Sequence, residues 1–106
     1  MSGSRITIAD EHRLDNIHPG DILREDFLIG SDIPLGEVAI GTGIDANQLA
    51  ELLAGTRSVD AAIDARLTRY FGMSEGFFLR LQNDYDLEEV ERADGEALDR
   101  IVPRAA

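Results

Sequence analysis

The stretch GTGIDANQLAELLAGTR, residues 41–57, has the spacing of a tight turn feeding a short amphipathic helix. Gly43 fits a helix–helix turn, where a left-handed backbone is unstrained only for glycine. Asp45 is a good N-cap for the helix that follows. Leu49, Leu52 and Leu53 form its apolar stripe, and Gly55 stands where a helix C-terminus favours glycine. Upstream, Pro34 opens a partner helix, PLGEVAIG, which Gly36 and Gly41 weaken by roughly 1 kcal/mol each relative to alanine. Residues 33–57 thus read as helix, tight turn, helix, with Ala39 at the crossing, Ile44 beneath the turn, and Val38, Leu49 and Leu53 on the inner faces.

That geometry exposes the N-terminal residues of the second helix, the part that meets base edges when such a pair enters a DNA major groove. Here they are Asp45, Ala46, Asn47 and Gln48. Asn and Gln can each bond adenine bidentately, Ala can pack on a thymine methyl, and Asp can accept from a cytosine amino group. Thr56, Arg57 and Ser58, just past the helix, are candidates to hold the phosphate backbone. A second reading stays open at this level: helix pairs with a Gly turn also occur in plain bundles, where Asn47 and Gln48 are solvated polar residues and Arg57 pairs with a carboxylate.

The flanking chain is helical as well. In PGDILREDFL, from Pro19, the apolar residues Ile22, Leu23, Phe27 and Leu28 fall on one face, Pro19 suits the first turn, and Gly30 and Ser31 close the helix. Asp60 can cap a fourth helix, AAIDARLTRYF, with Ile63, Leu67 and Tyr70 or Phe71 inward and Gly72 at its end. Ser74 is the expected cap of a fifth, from about Glu75 to Arg92, and GEALDRIV can add a turn or two before Pro103. Nothing alternates with the period of a strand. The expectation is an all-α fold of five or six helices, arranged as an N-terminal arm (1–16), a helix-turn-helix domain (17–92) and a C-terminal extension (93–106).

Composition narrows function. The 106 residues include 10 Arg, no Lys and 21 acids, for a net charge of −11. Such a balance disfavours non-specific binding to nucleic acid or anionic membranes. The absence of cysteine removes disulfides, thiolate metal sites and thiol catalysis. His12 and His18 are six apart, off helical ligand spacing, so neither a metal nor another cofactor is expected. No Ser/His/Asp set, P-loop or paired-acid geometry points to an enzyme. There is no apolar run of membrane-spanning length and no signal-peptide core, which makes the cytoplasm the default location.

The wider chain carries a resemblance. HPGDILREDFL (18–28), RLTRYFG (66–72) and FFLRLQNDYDLEE (77–89) flank the turn in the right order. Over residues 17–90 the sequence resembles the HigA-type antitoxins, a branch of the Xre/Cro-like helix-turn-helix repressors. The resemblance implies a lambda-repressor-like five-helix fold, a homodimer, an operator in the promoter of its own operon, and a partner toxin that is a small basic ribonuclease of the RelE-like class. Phe77, Phe78, Leu81 and Tyr85 are then candidates for the dimer interface as well as for the core. The acidic run Asp84, Asp86, Glu88, Glu89 and Glu91 is either a solvated face or a surface meeting the basic toxin.

Some residues depart from the family pattern. Pro34 and Leu35 stand where the family often has Ser or Thr followed by Gln, whose side chains reach phosphate. Ile40 replaces a common cation, and Thr42 an expected core leucine. With Arg57 as the one cation in residues 33–58, few counterions can be displaced, so DNA binding is expected to be weak or to depend on two linked protomers. Besides this repressor and antitoxin, two further readings remain: an acidic protein-interaction module with the same fold and weak or no DNA binding, and a small regulatory or catalytic domain with an unrecognised ligand.

Overall fold

The computed structural model describes residues 15–105, in which every regular element is a helix. The arm expected over residues 1–16 lies mostly outside the described residues, as does His12.

Helix α1 begins at Pro19–Ile22 and continues as a π-helical segment, Leu23–Ile29. The wider turn lets Leu23 and Leu28, five residues apart, both be buried, where an α-helix would point them to different sides. The closing left-handed residue is Asp32, at φ 57°, rather than Gly30, whose backbone stays right-handed. Asp is among the few side chains that tolerate this conformation.

Helix α2 (Leu35–Thr42) starts after Pro34 and ends at Gly43, at φ 75°. Only Gly43, Ile44 and Asp45 separate it from α3 (Ala46–Leu53). Helix α4 (Ala61–Phe71) is capped by Asp60, whose Oδ1 accepts from the Ile63 N–H at 2.9 Å, and it closes at left-handed Gly72.

Helix α5 (Phe77–Asp99) corrects the expected cap. It starts at Phe77, and Ser74 does not cap it by side chain. Asp64 of α4 does so instead: its Oδ2 accepts from Gly76 N–H at 2.8 Å, and its Oδ1 from Phe78 N–H at 2.8 Å and Leu79 N–H at 3.1 Å. The first turn of a helix has unpaired N–H donors, and a buried carboxylate from a neighbouring helix satisfies them here. A kink at Asp94 (φ −125°, ψ 18°) divides α5 shortly after Arg92, and the last helical turns, expected as a separate segment within GEALDRIV, follow that break as far as Asp99.

The core is Leu23, Leu28, Val38, Ile44, Leu49, Leu52, Val59, Ile63, Leu67 and Phe78, drawn from all five helices and the connections between them. The inner faces of the helix-turn-helix are therefore also the centre of the domain. Thr42, in place of a core leucine, is buried without an orphaned hydroxyl: its Oγ1 donates to Val38 O at 2.6 Å and accepts from Ile44 N–H at 3.1 Å.

Candidate nucleic-acid interface

At the start of α3 the Asp45 carboxylate folds back on its own helix. Its Oδ1 accepts from Asn47 N–H at 2.7 Å and Gln48 N–H at 3.4 Å. This fixes where the helix begins and leaves Oδ2 as the acceptor for a cytosine amino group. Ala46 and Asn47 are exposed and Gln48 is half-buried. Neither the Asn47 nor the Gln48 side-chain amide has a hydrogen-bond partner among the described residues. Gln48 lines a small cleft of about 200 Å³ with Gly43, Ile44, Asp60, Ile63 and Arg66.

Past the end of α3 the three candidate backbone contacts differ. Ser58 is exposed. The Thr56 hydroxyl donates to Glu51 O at 3.1 Å. Arg57 Nε donates to Glu51 Oε1 at 2.8 Å, so it is paired with a carboxylate at the surface.

Around this pair of helices, each sequence block quoted above supplies a specific hold. From HPGDILREDFL, His18 caps α1: Gly20 N–H donates to its Nδ1 at 2.9 Å, while His18 N–H donates to Asp21 Oδ2 at 3.2 Å, a capping box. Gly20 lets α1 lie directly on the main chain at Leu52, and Arg24 Nη1 donates to Leu53 O at 3.0 Å, closing the C-terminal end of α3. From RLTRYFG, Arg66 Nη1 donates to Thr42 O at 2.8 Å across the turn, and the Tyr70 ring fills the space that a side chain at Gly41 would occupy. Gly41, which sequence alone marks as a weakness in α2, is thus a contact point. From LQNDYD, buried Gln82 accepts the Val59 N–H through Oε1 at 2.8 Å and donates to Asp86 Oδ1 at 3.0 Å, anchoring the connection after α3.

His18 itself sits between α1, Gly55 and the edge of the Tyr85 ring, with centroids 4.9 Å apart. Burial pushes its imidazole below the ordinary value of 6.5, against the opposing pull of Asp21 and Asp86. A neutral ring is what the cap requires, because Nδ1 must accept.

The residues proposed from sequence for a dimer interface divide. Phe78 has no exposed surface and belongs to the protomer core. Phe77 and Tyr85 are half-buried, Phe77 against Phe27 and Phe78, and Leu81 is half-buried against the core. Sequence reading overlooked Arg24, Asp64, Arg66 and Gln82. Only Asp64 left a signal: it shares the buried face of α4 with Ile63, Leu67 and Thr68.

Two short helices meeting across a three-residue turn, held on three sides and with unpartnered amides at the second helix's N-terminus, define a helix-turn-helix domain of the DNA-reading type. No family model matches the chain. It is 30% identical over 95 residues to virulence-associated protein I of Dichelobacter nodosus, covering 90% of this chain and 87% of that one. Its fold is similar to that of Pseudomonas aeruginosa antitoxin HigA, solved with the higBA promoter, at 33% identity and a TM-score of 0.78 over 86% of this chain and all of that one. A HigA-family antidote protein from Coxiella burnetii is similar at 29% identity and a TM-score of 0.78, over 86% of this chain and all of that one. The chain belongs to the HigA family of helix-turn-helix antitoxins and transcription regulators, which are not enzymes.

Proposed function

We propose that this chain is the antitoxin of a type II toxin–antitoxin pair, binding operator DNA in the promoter of its own operon as a homodimer and repressing it. It also neutralises a basic RelE-like ribonuclease toxin as a separate binding activity. The observation that carries the DNA-binding reading is the pair of unpartnered amides, Asn47 and Gln48, on a helix whose start is fixed by Asp45 and whose end is fixed by Arg24. Two such helices, about one DNA turn (roughly 34–36 Å) apart, would enter successive major grooves of a palindrome. The relative solved with its promoter is consistent with that use of the fold. Phe77, Leu81 and Tyr85 are the proposed dimer contacts, and the proposed location is the cytoplasm; among the described residues no helix is long and apolar enough to cross a membrane.

A second reading, the acidic protein-interaction module, draws on the pairing of Arg57 with Glu51 and the acidic face of α5. A gel-shift titration against the DNA upstream of its own coding sequence separates the two. Retardation that is lost on replacing both Asn47 and Gln48 by Ala, with the oligomeric state unchanged in sedimentation, supports the repressor. No retardation even at low salt, where cationic contacts are strongest, leaves the interaction module.

A further inference from the structure

We propose that Arg66 is a DNA-phosphate contact, the cation that compensates for a reading helix carrying none of its own; this rests on the reading of α3 as the helix that enters the groove. Among the arginines around the helix-turn-helix, Arg24 is bonded to Asp21 and Glu25, and Arg57 to Glu51. Arg66 differs. It is exposed, and among the described residues no carboxylate lies within ion-pair distance of it. Its one hydrogen bond, from Nη1 to the Thr42 carbonyl at 2.8 Å, leaves Nε and Nη2 free to donate.

Its location matches the task. Arg66 lines the cleft between the N-termini of α3 and α4 beside Gln48, so its guanidinium lies next to the reading residues. Gly43 makes the room, since a Cβ there would stand 2.8 Å from Arg66 Nη1. The bond to Thr42 O holds the side chain in place before any ligand arrives, which lowers the entropy lost on binding. The two carboxylates of this face are already committed to helix capping, Asp45 on Asn47 and Gln48 N–H and Asp60 on Ile63 N–H. A guanidinium with two free donor edges is suited to a phosphate, which it can grip bidentately.

The test measures DNA affinity against salt, using duplex from upstream of the protein's own coding sequence. The wild type is compared with Arg66→Gln and Arg66→Lys. Gln keeps a donor for Thr42 O and removes the charge, while Lys keeps the charge. Each neutralised phosphate contributes about 0.9 to the slope of log K against log salt. The expected result is a slope shallower by about 0.9 per protomer in Arg66→Gln and a wild-type slope in Arg66→Lys. An unchanged slope in Arg66→Gln, or equal loss of binding in both variants, would make Arg66 a turn clamp alone and overturn the proposal, while the operator reading stands. Absence of binding by the wild type overturns both.

Discussion

Gly20 lies against the main chain of Leu52 so closely that a Cβ on residue 20 would overlap the Leu52 carbonyl oxygen. Helix α1 is therefore seated on the backbone of α3 itself. Gly20→Ala should gain up to about 1 kcal/mol of helix propensity and lose about 1–3 kcal/mol or more by overpacking. The obstacle is main chain, which cannot rotate away, so the loss wins. Gly36→Ala provides the contrast: nothing lies within 4 Å of the added methyl, and stabilisation of up to about 1 kcal/mol is expected. Urea unfolding of the two variants should move in opposite directions.

Asp64→Ala removes the acceptor of three N–H groups at the start of α5. Hydrogen bonds to a charged group contribute about 1.5–3 kcal/mol each and do not add fully. A loss of at least about 3 kcal/mol is expected, a large share of the stability of a small domain. Chemical denaturation measures it, and a loss below about 1 kcal/mol would contradict the capping role.

His18 makes stability depend on pH. Burial holds the folded-state value below the ordinary 6.5, so the fold favours the neutral ring. The associated stability is complete above the unfolded value and is lost as pH falls below 6.5 through the lowered folded value. The thermal midpoint should therefore drop across that window. His18→Asn, which keeps a capping acceptor without a titrating ring, should show a shallower drop; parallel curves for the two proteins would exclude His18 as the source.

Gln82→Ala should leave the buried Val59 N–H without its acceptor, costing about 1–3 kcal/mol. Because Val59 follows directly on the Thr56–Ser58 segment, DNA affinity should fall in this variant at temperatures where it is still fully folded. Affinity equal to wild type would show that this anchor matters only for stability.

The helix-turn-helix was legible because its punctuation is local. Gly43, Asp45, Asp60, Gly55 and Gly72 act within a few residues of themselves, and each takes the role its chemistry suggests. The failures are non-local. Ser74 is the nearest cap for α5 in sequence, but the cap is Asp64, a dozen residues upstream and hidden among many acids. Gly41 is a flaw by helix propensity alone, yet the Tyr70 ring, brought in by α4, needs its missing side chain. Similarly, spacing alone left Arg57 between phosphate and carboxylate, and only the fold brings Glu51 within 2.8 Å. Arg66 gave no local signal, because its partner at Thr42 belongs to another helix.

Amide chemical shifts in isotopically labelled protein decide whether the exposed start of α3 reads DNA. On titration with duplex from upstream of its own coding sequence at low salt, the largest shifts are predicted at Ala46, Asn47 and Gln48, with smaller ones at Thr56–Ser58. Spectra in which Ala46, Asn47 and Gln48 do not move, at protein and DNA concentrations well above those of a working repressor, would contradict it.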